Sequence, residues 1–240
     1  MTSVIIILCI LFFVIFVYFG VPSIYKRLSV ALLKRRAVKA GVLVLTFDDG
    51  PGSHLTPAVL EILDRYDAKA TFFLLGRNIM GRETIVRQIT AAGHEICSHG
   101  YEHFNYRMTS PLRTISDVKR GWRAIDQALG KRDSIYAFRP PYGKLNLICL
   151  LYLLVRRVPI FYWTSVSGYI WPVDTQDSRK AAVLEGESAG TVVLAHDSNP
   201  TDEYINKKEL DSISLALSVA KEKGMKVITL SELVGLSREI

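Results

Sequence analysis

The sequence predicts an α/β domain built on a parallel sheet and carried behind one apolar N-terminal membrane helix. Two observations predict it. After Gly41, short apolar runs alternate with helix-period segments about seven times, the pattern of parallel strands joined by helices. Before Pro22, the run Val4–Val21 reads VIIILCILFFVIFVYFGV, 18 residues without a charge and long enough to cross the hydrocarbon core or nearly so. A length of 240 residues accommodates one domain of this kind. An open doubly wound sheet and a closed barrel both fit the alternation.

The apolar run reads as an uncleaved anchor. No Lys or Arg precedes it, and Phe19–Ser23 is a poor cleavage site. Six basic residues follow it: Lys26, Arg27, Lys34, Arg35, Arg36 and Lys39. That asymmetry predicts a single-pass protein of the cell membrane with its domain on the cytoplasmic face. The chain therefore divides into an anchor (1–22), a basic juxtamembrane segment (23–40) and one folded domain (41–240). The segment Pro22–Ala40 is expected to lie as an interfacial helix on anionic lipid.

Within the domain, strands are expected at Val42–Phe47, Ala70–Leu75, His94–Cys97, Ser134–Phe138, Pro159–Trp163, Thr191–Ala195 and Lys226–Thr229. Helices are expected at Thr56–Tyr66, with Thr56 as N-cap and Pro57 first, and at Glu83–Ala92, Pro111–Leu129 and Glu203–Lys223. No glycine-rich phosphate loop follows the first strand. A formal net charge of +7 permits anionic partners. No basic face with interleaved aromatics accompanies it, so nucleic acid is not an expected partner. Three cysteines, Cys9, Cys97 and Cys149, fit no disulfide framework or zinc knuckle and read as small buried apolar residues.

Four polar clusters stand just after predicted strands, where parallel α/β folds assemble active sites. In Thr46–Pro51 (TFDDGP), adjacent Asp48 and Asp49 repel each other unless they share a positive partner. His99 and His103 are four apart and fall on one side of a compact loop. With a carboxylate they make three ligands with open positions, as in a catalytic zinc site. Arg139 in Arg139–Gly143 (RPPYG) can orient a carboxylate, and Tyr142 carries a backbone N–H for an oxyanion. Leu194–Asp197 (LAHD) delivers His196 from a buried strand.

The four motifs, in this order and spacing over about residues 41–235, resemble the polysaccharide deacetylase family, also called NodB-like or carbohydrate esterase family four. The resemblance implies a distorted (β/α) barrel of about seven strands. It implies an enzyme that removes the N-acetyl group from an acetylated amino sugar, a GlcNAc-type glycan or glycolipid, with metal-activated water. Asp48 would be the base and His196 the acid. Asp49, His99 and His103 would hold one divalent metal, zinc by preference, with Co2+, Mn2+ or Ni2+ as alternatives. Arg139 would tether Asp48, the Tyr142 N–H would face the oxyanion, and Leu194, Trp171 and Pro141 would meet the substrate. The same site would also serve an O-deacetylase or deformylase, and a weakened carbohydrate-binding relative would retain it.

The sequence departs from the family pattern at Val166–Trp171. Ser167 and Ile170 stand where the family has two carboxylates, the first of which orients the acid histidine, and only Trp171 matches. Asp174, Asp177 and Asp197 are candidate substitutes. A second peculiarity is Leu145–Val155 (LNLICLLYLLV), apolar nearly all round, followed by Arg156 and Arg157. It is expected either to be buried against another part of the chain or to touch membrane lipid beside the site.

Overall fold

A computed structural model describes residues 2–166, 190–198 and 203–235. The first helix, α1, runs unbroken over Thr2–Ala40 with Pro22 inside it. Its 39 residues make a rod about 58 Å long. The divisions drawn at residues 22 and 40 therefore fall within, and at the end of, one element.

The sheet follows from apolar runs covered on both faces. Strand β1 (Val42–Asp48) is buried throughout. It pairs in parallel with β5 (Thr191–His196) on one side. On the other side it pairs with β2 (Thr71–Leu74) at its end and with β6 (Lys226–Val227) at its start. Strand β3 (Glu95–Ser98) joins β2, and β4 (Ser165–Val166) joins β5. The expected strands at Ser134–Phe138 and Pro159–Trp163 shrink to single bridges, Ser98 to Phe138 and Phe138 to Ile160. The segment from Ile160 to Val166 bridges Phe138 with its first residue and pairs with β5 through its last two, which closes the ring. The result is the distorted barrel that the family resemblance implied.

Side chains sort with period two. Leu43, Leu45 and Phe47 of β1 join Phe72, Leu74, Val193 and Ala195 in the outer core. That core lies under α2 (Leu55–Arg65), α4 (Glu83–Ala91), α5 (Pro111–Leu129) and α7 (Glu203–Glu222). The short α3 (Gly76–Ile79) leads into α4. Val42 and Val44 alternate inward and meet Phe73, Cys97, Phe161 and Val192. Leu230 of α8 (Leu230–Val234) closes the same inner cluster.

The second half of α1 belongs to the barrel. Leu33 and Ala37 are buried in the inner cluster. Tyr25 and Val30 pack on a third cluster with Cys149, Leu150 and Leu153 of α6 (Leu147–Val155). The approach is close at Gly190, where an added Cβ would sit 2.1 Å from the Ala37 carbonyl oxygen. The expectation that Pro22–Ala40 lies on lipid is thus corrected for the helix face that carries Tyr25, Val30, Leu33 and Ala37. An apolar residue every three to five positions found a protein surface to cover.

Two smaller expectations change. Thr56 is not the N-cap of α2, which is His54. The Thr56 hydroxyl instead accepts from Gly52 N and donates to Asp197. Of the cysteines, Cys97 and Cys149 are buried, whereas Cys9 is exposed on the apolar half of α1.

Candidate active site

All four motifs converge at the carboxyl ends of the strands. Register does the first part of the work. Asp48, the last residue of β1, is the partner of His196, the last residue of β5. In-register neighbours on parallel strands point the same way, so both side chains face the barrel mouth. Asp48 is 3% exposed. Its Oδ1 accepts from Arg139 at 2.7 Å. Arg139 is itself fully buried, lies over the Phe73 ring and also donates to Thr46 Oγ1 and the Tyr162 carbonyl. Burial pulls its pKa down from the ordinary value, while Asp48 acts to hold it up.

Asp49 leaves the strand with φ +69°, which turns its carboxylate away from Asp48 and toward the histidines. Asn78 holds the turn by donating to the Asp49 carbonyl at 2.7 Å. Asp49 Oδ1 lies 3.6 Å from His99 Nε2 and 3.3 Å from His103 Nε2. The ligand atoms of these three residues all fall within 4.8 Å of one another.

The tautomer of His99 is set by its other nitrogen. Nδ1 lies 2.9 Å from the Arg139 carbonyl oxygen. A carbonyl only accepts, so Nδ1 carries the proton and Nε2 presents a lone pair to the cluster. Asp49 Oδ1 is buried and has no hydrogen-bond partner among the described residues. A carboxylate oxygen and imidazole lone pairs at this separation repel unless a cation sits among them. The donor set fits a divalent metal of intermediate softness such as zinc. Burial lowers the His103 pKa, with Asp49 opposing, a direction that favours the neutral imidazole.

The loop between the histidines is held from outside. Asp117 on α5 is buried and accepts from Tyr101 N, Glu102 N and the Tyr106 hydroxyl, at 2.9, 3.1 and 2.6 Å. Gly100 at φ +84° leaves no room for a Cβ, which would strike Tyr106 Oη and the Asp117 carboxylate. Tyr142 also has a positive φ, and its ring lies 4.5 Å from that of His103. Leu194 and Pro141 are buried near the mouth. Trp171, Ser167, Ile170, Asp174 and Asp177 lie outside the described residues. Asp197 is fully buried, with its carboxylate against Gly50, where an added Cβ would come within 2.3 Å of it.

Sequence reading missed Asn78, Asp117 and Glu209. Glu209 is 3% exposed on α7 and accepts from the His196 backbone N–H at 3.1 Å. A signal existed for Asp117. It falls on the apolar stripe of α5 with Val118, Trp122 and Ile125, and a carboxylate there needs a buried partner.

Known proteins carry the same plan. The polysaccharide deacetylase sequence profile matches residues 35–153. A chitooligosaccharide deacetylase from Sinorhizobium fredii is 31% identical over 172 residues, covering 72% of this chain and 79% of its own. The peptidoglycan-N-acetylglucosamine deacetylase PgdA of Listeria monocytogenes is 31% identical over 198 residues, which is 82% of this chain but 40% of PgdA. The chain thus spans well under half the length of that relative. A crystal structure of the Bc1960 peptidoglycan N-acetylglucosamine deacetylase superposes with a TM-score of 0.74 at 27% identity, covering 83% of this chain and 91% of that one. With its motifs gathered at one barrel mouth and its relatives sharing most of its length, the chain belongs to the polysaccharide deacetylase family.

Proposed function

We propose that this protein is a metal-dependent hydrolase that removes the N-acetyl group from a GlcNAc-type glycan. The observation that carries the reading is the in-register pairing of Asp48 with His196 beside the Asp49, His99 and His103 donor set. It supplies a base and an acid on one side of a single metal site, and amide hydrolysis needs both. An amine leaves poorly unless it is protonated as the C–N bond breaks.

Asp49, His99 and His103 would hold the metal, which when bound supplies Lewis acidity to water and carbonyl. Asp48, held by Arg139, takes the proton from the attacking water. His196 gives a proton to the departing nitrogen. The Tyr142 backbone N–H is assigned to the developing oxyanion, and Leu194 and Pro141 to the walls around the acetyl group and sugar. Glu209, bonded to the His196 main chain, fixes the strand end that carries the acid.

The apolar half of α1 is read as a single membrane span. A cleavable leader is disfavoured because the same helix continues into residues buried in the barrel. The excess of basic residues after the span favours a cytoplasmic domain, where the acetylated sugar would be lipid-linked. A reporter fused beyond Glu239 tests that side, and labelling from outside intact cells rules it out.

The test of activity is acetate and free-amine release from chito-oligosaccharide, peptidoglycan, O-acetylated sugar and polyprenyl-linked GlcNAc. Asp48→Asn and His196→Ala should each lower turnover by about 10²–10⁴-fold while metal stays bound. His99→Ala with His103→Ala should lose the metal. Wild-type turnover in Asp48→Asn, or full metal content in the double variant, overturns the assignment. Release from the O-acetyl substrate alone would mark an esterase.

A further inference from the structure

We infer that the mouth of the barrel is held against the lipid bilayer, with the outer face of α6 and the loop around Met108 immersed in its interface. This rests on the reading of α1 as a membrane span. The argument starts from the course of α1 along the barrel. At its far end Ala37 touches Gly190, the residue before β5, at the amino-terminal ends of the strands. Higher up, Lys26 lies over the Trp163 ring and beside Gly143, in the loop that carries Tyr142. Higher still, the Arg107 guanidinium lies over the Phe19 ring at 4.9 Å. Arg107 belongs to the loop that follows His103, and Phe19 belongs to the apolar run. From residue 37 to residue 26, level with the catalytic loop, the helix climbs about 16 Å, and Phe19 stands about 10 Å higher still. The membrane end of α1 is therefore the catalytic end of the domain.

What surrounds that end suits an interface. Met108 is 79% exposed and Leu112 83% exposed. In α6 the inner side (Cys149, Leu150, Leu153) is buried, while Ile148, Leu151, Leu154 and Val155 are exposed, Val155 by 83%. This helix meets α1 near Tyr25 and Val30, within two or three turns of the end of the apolar run. Each headgroup layer is about 5–7 Å deep beyond the hydrocarbon core, so the side chains level with Tyr25, about 6 Å past Val21, fall within it. Cations stacked on rings edge the patch: Arg107 on Phe19, Arg113 on Phe104, and Arg156 and Lys119 on Tyr152. Aromatic rings beside Lys and Arg are the composition of a membrane–water boundary. The occupant of the patch is therefore lipid rather than another protein. The sugar that reaches His103 and Tyr142 is one carried by, or lying on, that lipid surface.

The test uses the full chain in vesicles of phosphatidylethanolamine and phosphatidylglycerol, in a Cys9→Ser background. Single environment-sensitive fluorophores are placed by Met108→Cys, Leu112→Cys, Ile148→Cys, Phe12→Cys within the span, and Lys221→Cys at the other end of the barrel. Labels at 108, 112 and 148 should lose most of their emission to lipids carrying a nitroxide near the headgroup, while the label at 221 keeps its own; the label at 12 is read against lipids carrying the nitroxide deep in the acyl chain. If 12 is quenched by the deep nitroxide but 108, 112 and 148 respond as 221 does, the docking face is wrong although the span stands. If 12 is not quenched by the deep nitroxide, the span reading has failed and the docking inference falls with it. Labels at 108 and 148 shielded from aqueous iodide yet untouched by the nitroxide lipid mean that a second copy covers the face, which also overturns the proposal. As a functional arm, Ile148→Glu with Leu151→Glu should depress turnover of a vesicle-borne GlcNAc lipid several-fold more than that of a soluble chito-oligosaccharide. Equal effects on both count against the inference.

Discussion

Arg139 shows how one buried side chain sets the geometry of the site. Its guanidinium is fixed by Thr46 Oγ1, Asp48 Oδ1 and the Tyr162 carbonyl, and its own carbonyl fixes the His99 tautomer. Arg139→Met leaves the Asp48 carboxylate buried without its cation, a loss of about 3–5 kcal/mol for a pair of this kind. Denaturant unfolding of the variant checks this, and a loss below about 1 kcal/mol would mean that Asp48 finds another partner. Asp197 carries a pH dependence. Burial pushes its carboxyl up to about 7, with Asp49 and Asp48 adding to the rise and Thr56 opposing it. A raised folded-state value favours the neutral form. Its contribution to stability is therefore complete below about pH 4, the unfolded value, and is lost as pH rises through about 7. Metal-stripped protein should melt lower at about pH 8 than at about pH 4.5, and Asp197→Asn should flatten the difference; an unchanged slope in that variant would remove Asp197 as the cause. Residues of this type were legible unevenly. Asp48, Asp49, His99, His103, Arg139 and His196 stand in recognisable strings, whereas Asn78 and Glu209 act from separate elements and have only their burial to mark them.

At the scale of elements, the loop that carries His99 and His103 depends on a helix that supplies neither histidine. Asp117 gathers two backbone donors and one hydroxyl from residues 101–106, so Asp117→Ala frees the segment between His99 and His103. Metal affinity should fall about 10–100-fold while the helix content of the protein is retained. Titration with zinc against a competing chelator measures it, and unchanged affinity would mean that the loop is fixed by its ligands alone. The same helix was read from sequence with the bounds it has, Pro111–Leu129, because Pro111 suits a first turn and Gly130 ends it at φ +67°. The strands at 134–138 and 159–163 were over-read for an equally physical reason. The Tyr136 carbonyl is taken by Trp122 Nε1, Pro140, Pro141 and Pro159 have no N–H to offer a neighbour, and only Phe138 is left to bridge both sides. The helix at 147–155 is core on one face, as the first reading of its apolar sequence had it, and exposed on the other.

For the molecule as a whole, the decisive feature is that the apolar run and the barrel share one helix. The sequence pattern marked where the apolar run ends but not where the domain begins, because Leu33 and Ala37 sit among Lys34, Arg35, Arg36 and Lys39 and read as part of a basic linker. Packing reveals the opposite. Tyr25, Val30, Leu33 and Ala37 cover the barrel along one side of the helix, and Gly190 has no side chain because the Ala37 carbonyl is there. A chain that begins at Ser23 keeps all of these contacts, whereas one that begins at Gly41 leaves inner residues such as Val42, Val44 and Val192 without cover. Losing buried side chains of this size costs about 2–5 kcal/mol for each large one, against a total stability of about 5–15 kcal/mol. The longer truncation should therefore unfold at markedly lower temperature or fail to stay soluble, while the shorter one melts cooperatively. Thermal unfolding of the two followed by circular dichroism decides between them. If the chain from Gly41 melts where the chain from Ser23 does, the second half of α1 is a tether rather than part of the barrel, and the site would no longer be held at a fixed height beneath the membrane.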